Sequence, residues 1–264
     1  MTTSTDELLY AVEDGIATIT LNRPEKLNAF TVTMIDRWAA ALAEAQRDPA
    51  VHVVIVTGAG RAFCAGGDVG QMGQREPTGL DHKAYLWEHI HRIPLTLDAM
   101  DKPVIAMING VAAGAGMDMT LMCDLRIASD QARFAESYVK VGVVPGDGGA
   151  YYLPRLIGLD HALELFWTGD FVSAHDAERL GLVTRVVPAA ELQTYTYTLA
   201  RKIADGPPIA IRMTKRAVYQ CLRADVRTAL DMISSHIALA LQSEDHREGV
   251  RAFVEKRAPR FVGR

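Results

Sequence analysis

NGVAAGAGMD, residues 109–118, separates two apolar segments. Before it, residues 103–108 (PVIAMI) read as a buried strand. After it, residues 117–123 read as a short helix. Glycine and alanine in the bend let a substrate come close to the backbone. The first N–H groups of a helix have no partner inside it, and the helix dipole adds partial positive charge there. An oxygen that gains negative charge during a reaction is stabilised at such a spot. Residues 61–68 (RAFCAGGD) have the same build and come after a second strand-like run, residues 51–57 (VHVVIVT). A lone glycine-rich bend is more often an ordinary turn than a site. Two such bends, each behind a strand, could offer one N–H apiece to a single oxygen.

The bulk numbers fit this picture. A chain of 264 residues supports one large domain or two small ones. Hydrophobic residues make up 49% and charged residues 23%, ordinary values for a soluble enzyme. A net charge of −4 gives no general attraction to nucleic acid or to a membrane surface. Cys64, Cys123 and Cys221 are scattered, with no CxxC pair, so neither a disulfide framework nor a structural zinc site is expected. No apolar run reaches the ~20 residues needed to span a bilayer. MTTSTDE at the start lacks the basic region and apolar core of a secretory signal, so a cytoplasmic location is expected.

Along the chain, residues 8–12 and 16–21 read as strands joined by a hairpin at Asp14-Gly15. Thr31 is placed to cap a helix running to about Gln46, with Met34, Ile35, Trp38, Ala41, Leu42 and Ala45 on one stripe. Residues 69–79 read as a cover over the site. Residues 81–100 read as a helix that Pro94 bends or splits. Short strands are expected at residues 124–129, 132–134 and 183–187, and a loop at residues 139–149. Ser173 is placed to cap a helix over residues 174–180, with Asp176 at the capping-box position. Beyond residue 189 only helical periodicity remains, over residues 190–204, 209–221, 224–241 and 243–256. Strands alternating with helices, and then helices alone, predict an α/β core with a C-terminal helical extension.

The chain resembles the crotonase superfamily, the enoyl-CoA hydratase/isomerase family, over nearly its whole length. The residues that carry the resemblance are ITLNRPEKLNAF at 19–30, VVIVTGAGRAFCAGGD at 53–68, KPVIAMINGVAAGAG at 102–116, MCDLRIAS at 122–129, GLVTRVVP at 181–188 and EGVRAFVEKRAPRF at 248–261. The resemblance implies a spiral core of repeated ββα units over residues 1–200 and a helical trimerisation region over residues 201–264. It also implies trimers that pair into hexamers, and an acyl-CoA thioester as substrate. Coenzyme A then arrives with the substrate, and no separate cofactor or metal is implied. Two backbone N–H groups would hold the thioester oxygen as an enolate forms; by position these fall on Gly67 and Ala115. Lys26, Leu27 and Ala29, with Ala62, Cys64, Ala65, Asp68 and Val69, match segments that line CoA. Phe253 and Lys256 match positions near the nucleotide of a neighbouring subunit.

Hydratases of this family use two glutamates around one water. The first position falls on Asp118, which keeps a carboxylate on a shorter arm. The second falls on Tyr138, a departure, because a phenol is a poor base at neutral pH. Asp147 lies one position after the slot where some isomerase and dehalogenase branches carry their working aspartate. Residues 138–158 as a whole look most like the phenylacetate-pathway isomerase branch. Glu136 is close in sequence, but moving it into the second slot breaks the match at Phe134. His89 and His91 read as helix surface, and Trp87 as core or pocket wall. Cys64 has no visible base beside it and is not expected to be a nucleophile. The primary expectation is hydration of a 2-enoyl-CoA. The alternative is isomerisation of a double bond or ring epoxide, which needs one proton shuttle and no activated water. Thioester hydrolysis is a weaker alternative, and a non-catalytic acyl-CoA-binding or RNA-binding role is the contrasting one, the acidic net charge speaking against RNA.

Overall fold

The structure, a computed structural model, describes residues 6–68 and 78–264. Its strands are β1 Leu8–Glu13, β2 Ile16–Leu21, β3 Val53–Gly58, β4 Ala62–Cys64, β5 Val104–Ile108, β6 Val111–Ala113, β7 Leu125–Ser129, β8 Arg133–Ala135, β9 Val172–Ser173 and β10 Arg185–Val187. Its helices are α1 Val32–Arg47, α2 Gly79–Tyr85, α3 Arg92–Ala99, α4 Ala115–Leu121, α5 Gly149–Ile157, α6 Leu159–Thr168, α7 Ala174–Leu180, α8 Leu192–Ala204, α9 Pro208–Cys221, α10 Val226–Leu241 and α11 Glu244–Glu255.

VVIVTG in β3 is buried at every position, as a strand covered on both faces must be. It lies inside a six-stranded sheet of order β1-β2-β3-β5-β7-β10, parallel except for the β1–β2 hairpin. Side chains alternate between two cores. Val54, Val56, Val104, Ala106 and Ile108 join Trp38, Ile35 and Leu42 of α1 on one face. Val53, Ile55, Ile105 and Met107 join Leu192 and Ala200 of α8 on the other. The two-residue period of a strand thus feeds both layers from one run of apolar residues.

A second sheet, of order β4-β6-β8-β9, is built from very short strands. The chain alternates between the sheets: β3 then β4, β5 then β6, β7 then β8. Because β4, β6 and β8 are neighbouring and parallel, their C-terminal ends lie side by side. The segments leaving these three strands therefore gather at one edge of the sheet. Ligands in α/β proteins commonly bind beyond the carboxyl ends of parallel strands.

Several local expectations hold. Thr31 caps α1, its hydroxyl oxygen accepting from the Met34 N–H at 3.1 Å. Ser173 caps α7 through the Asp176 N–H at 3.1 Å, and Asp176 accepts the Ser173 hydroxyl at 2.7 Å. Others change. Residues 61–68 and 109–118 are not simple bends, since each contains a three-residue strand, β4 or β6. The helix expected over residues 81–100 is interrupted at Leu86–Ile90 by a π turn rather than at Pro94. Pro94 sits in the first turn of α3, where a missing N–H costs no hydrogen bond. Trp87, on that π turn, is 63% exposed and so is not a core residue. The loop expected over residues 139–149 opens within a short 3-10 helix, Ser137–Val141. None of the residues of α9 or α10 is buried. Polar contacts hold α9 to the core: Arg212 grips Asp101 at 2.8 and 2.9 Å, and Lys215 and Tyr219 each reach Asp124 at 2.8 Å. Among the described residues no helix is long and apolar enough to cross a membrane.

Candidate active site

The ends of β4 and β6 carry the two bends. A Cβ placed on Gly116 would fall 2.2 Å from the Cys64 carbonyl oxygen, so only glycine lets the first turn of α4 lie on the first bend. A Cβ on Gly66 would fall 3.5 Å from the Ala115 nitrogen. The two bends therefore touch. Gly67 is fixed by a parallel bridge to Phe30: the Phe30 N–H donates to the Gly66 carbonyl at 2.9 Å, and the Asp68 N–H donates to the Phe30 carbonyl at 3.2 Å. In a parallel bridge the N–H of the middle residue points away from its partner strand. The Ala115 N–H, at the first position of α4, has no acceptor within the helix. Among the described residues no acceptor meets either of these N–H groups.

The end of β8 leads to Tyr138 and Asp147, which meet Asp118 of α4. The Tyr138 hydroxyl lies 2.7 Å from Oδ2 of Asp118 and 2.7 Å from Oδ2 of Asp147. The three residues expected to handle protons are thus one hydrogen-bonded cluster. Asp118 is fully buried, while Asp147 is 6% exposed and Tyr138 is partly exposed. Burial raises the carboxyl of Asp118 above the ordinary carboxylate range; the Tyr138 hydrogen bond works against this and the charge of Asp147 adds to it. Burial raises Asp147 too, with Tyr138 and His91 pulling it back down. Burial, together with both aspartates, drives the Tyr138 phenol well above its ordinary value, so it donates and does not act as a base. A Cβ on Gly149 would fall 2.1 Å from Oδ1 of Asp118, so the first residue of α5 leaves the space that this carboxyl group fills.

The sequence profile of the enoyl-CoA hydratase/isomerase family matches residues 11–264. This chain belongs to that family. It is 38% identical over 259 residues to the 1,2-epoxyphenylacetyl-CoA isomerase of Escherichia coli strain K12, covering 97% of this chain and 98% of the relative. It is 35% identical over 255 residues to the short-chain-enoyl-CoA hydratase of Clostridium acetobutylicum, covering 96% of each. Among solved structures, a putative enoyl-CoA hydratase from Streptomyces coelicolor superposes with a TM-score of 0.92 at 37% identity, covering 100% of this chain and 97% of that one. The α/β spiral of paired short and long strands is accordingly the crotonase fold.

Within this member of the enoyl-CoA hydratase/isomerase family, the segments matched to CoA binding are knitted together. Lys26 is exposed at the end of a short 3-10 helix, and Leu27 and Asn28 both adopt the left-handed conformation, with φ of 52° and 57°. Asn28 is fully buried. Its amide nitrogen donates to the carbonyls of Ala59 at 2.9 Å and Ala62 at 2.8 Å, and its oxygen accepts from the Arg23 N–H. The Ala65 N–H donates to the Leu27 carbonyl at 3.0 Å. Residues 26–29 and 62–65 therefore form one surface, with Ala29 and Ala65 partly exposed and Ala62 buried. The Cys64 side chain faces inward: its thiol donates to the Asn28 carbonyl at 3.1 Å, and burial pushes it up to about 12, which removes it as a nucleophile at neutral pH. Asp68 accepts from the Arg23 guanidinium at 3.1 Å. Val69, and with it most of the expected cover, lies outside the described residues. Phe253 is 86% exposed on α11, and Lys256 is exposed at its C-terminal cap.

Two residues at the site carry more than their sequence reading gave them. Glu136 is fully buried beside Asp118. His91, read as helix surface, points to the acid loop, its Nε2 lying 2.8 Å from the Gly146 carbonyl. His89 is the ordinary member of the pair, lying 3.1 Å from Asp36.

Proposed function

We infer that this protein acts on enoyl-CoA thioesters, with the thioester oxygen taken up between the N–H groups of Gly67 and Ala115 as an enolate forms. The observation that carries the reading is the meeting of two bends, whose N–H groups are unengaged among the described residues, beside a carboxylate cluster. Each such donor typically contributes ~2.7–4 kcal/mol to the transition state. Asp147, the more exposed of the two aspartates, serves as the base. It takes a proton from C2 of a 3-enoyl thioester, and the C–H electron pair moves toward the thioester oxygen. Return of that proton to C4 gives the conjugated 2-enoyl product. One carboxylate suffices for this, and Tyr138 already spends its hydroxyl on the aspartates rather than on a water. Hydration of a 2-enoyl-CoA is the second reading, favoured by two carboxyl groups in one cluster, with Asp118 orienting water or handling its proton.

The reaction as written needs no redox or metal step, so CoA enters as part of the substrate and no separate cofactor is proposed. Residues 26–29 and 62–65, with Asp68 and Val69, would line the CoA moiety. Phe253 and Lys256 would reach it from a neighbouring subunit. The exposed apolar residues of α9 and α10 support a trimer or a pair of trimers formed through residues 201–264, around a core of residues 1–200. A soluble cytoplasmic enzyme without nucleic-acid or membrane partners fits the acidic net charge.

The absorbance of the conjugated thioester tests the reading. Isomerisation makes it rise with 3-enoyl-CoA, and hydration makes it fall with 2-enoyl-CoA. No change with short, long and aromatic acyl chains in either direction would remove both.

A further inference from the structure

Tyr138 has one hydroxyl proton and two carboxyl neighbours, each at 2.7 Å. It can donate to only one. The other contact is attractive only if that carboxyl group is protonated and donates to the phenol oxygen. The aspartate pair therefore holds one proton beyond the phenol's own, and its negative charge sits on one aspartate at a time.

Glu136 bears on which one. It is fully buried where the chain leaves β8. Neither of its oxygens makes a hydrogen bond of normal geometry, and neither does Oδ1 of the adjacent Asp118. A neutral buried carboxyl group has a proton to give, and Asp118 beside it, whose charged form the Gly149 N–H and Tyr138 also favour, can accept it. Burial holds Glu136 in its neutral form, with the charge of Asp118 acting in the same direction. At the other end, His91 favours charge on Asp147. Among the described residues, Tyr85 of α2 and Cys64 of β4 also feel the charge of Asp147, both raised by burial and so uncharged at neutral pH.

We propose that Glu136, Asp118, Tyr138 and Asp147 form one proton-holding chain, in which Glu136 is a positioning residue that sets the proton occupancy of Asp147 through Asp118 and the Tyr138 hydroxyl. The proposal rests on the reading of Asp147 as the base. Donation from Glu136 favours charge on Asp118. Tyr138 then turns its proton toward Asp118, and Asp147 holds its own more tightly, giving it up to become the base only above the acid limb. Without that donation Asp118 stays protonated, Tyr138 donates to Asp147, and Asp147 ionises more readily.

The acid limb of the turnover pH profile reads this. Glu136→Met removes the donor and moves the limb to lower pH, by about one unit. Glu136→Gln keeps an N–H donor and restores the wild-type limb. Tyr138→Phe cuts the link between Asp118 and Asp147, so in that background Glu136→Met adds little. Glu136→Leu makes the same deletion with a different shape should the Met variant not fold. An unmoved limb in the Met and Leu variants would overturn the proposal. So would a Gln variant that shifts as far as Met, or an equal Met shift with and without the Tyr138 hydroxyl. Carboxyl 13C titration of Asp147, assigned with Asp147→Asn, tracks the same shifts without substrate. Failure of turnover on every enoyl-CoA would then sink the functional reading, while the titration separately decides the proton chain.

Discussion

The edge of the small sheet and the C-terminal helices break the usual burial rule in opposite ways. At the sheet edge Asp118 and Glu136 are fully buried and Asp147 nearly so. On the C-terminal helices Leu222 is 78% exposed, Val226 74% and Leu230 60%. Burying an ionisable group costs free energy unless it is paired or neutralised, and the cluster answers with shared protons. Exposing large apolar side chains in one contiguous region leaves a surface that association would cover. The two regions thus differ in kind: one gathers buried ionisable groups, the other exposed apolar side chains.

The first way to break this contrast is to disarm the buried edge. Asp147→Asn is expected to lower turnover by ~10²–10⁴-fold, the range for a lost acid–base group, while leaving the thermal transition in place. Steady-state kinetics with the better enoyl-CoA substrate decides it, and near-normal turnover would assign the base elsewhere. Crowding the same edge is expected to do less. Gly149→Ala puts a methyl group 2.1 Å from Oδ1 of Asp118, and overpacking of this kind costs ~1–3 kcal/mol in denaturant unfolding.

A smaller effect sharpens the electrostatic side. Asp118, Asp147 and Glu136 all have folded-state proton affinities raised above the unfolded ones. The native chain then binds more protons than the unfolded chain, so their contribution to stability is greatest below the unfolded carboxyl values, near ~4, and is lost as pH rises toward the folded ones. Glu136→Gln should flatten that fall, seen as a shallower decline of Tm with pH above ~5. A steeper decline would mean that Glu136 is held ionised. The last test concerns the exposed region. Leu230→Glu is expected to change the unfolding free energy of the isolated chain by no more than ~0.5 kcal/mol, as surface substitutions usually do. It should nonetheless reduce the size of the sedimenting species, and an unchanged species would place the subunit contact elsewhere.

Much of this was legible in the sequence. The hairpin, the cap at Thr31, the two-sided apolar strands and the run of C-terminal helices are set by period and turn chemistry. The pair of glycine bends stood out for the same reason. The small sheet did not, because β4, β6 and β8 have three residues each, too few for an alternation to register. The π turn was equally hidden. It depends on packing rather than on any residue in the run, and it turns His91 from the expected helix surface toward the Gly146 carbonyl. Position-by-position matching brought Tyr138 and Asp147 to the site but set Glu136 aside. A glutamate just after a buried phenylalanine strand was the available signal, and its depth emerges only in the folded chain, where it lies beside Asp118 of α4. Asn28 lies within a matched motif, yet its work as a buried clamp across three backbone carbonyls needs the folded loop.

The alternation of strands between two sheets has a further consequence. Each of the three strand ends at the working edge is reached from a strand of the large sheet. The first two bring the N–H groups of Gly67 and Ala115, which are main-chain atoms and survive an exchange of side chain. Tyr138 and Asp147 come after the third strand, whereas Asp118 shares a helix with Ala115. An exchange at Tyr138 or Asp147 therefore falls away from both main-chain donors, while one at Asp118 falls on the helix that carries one of them.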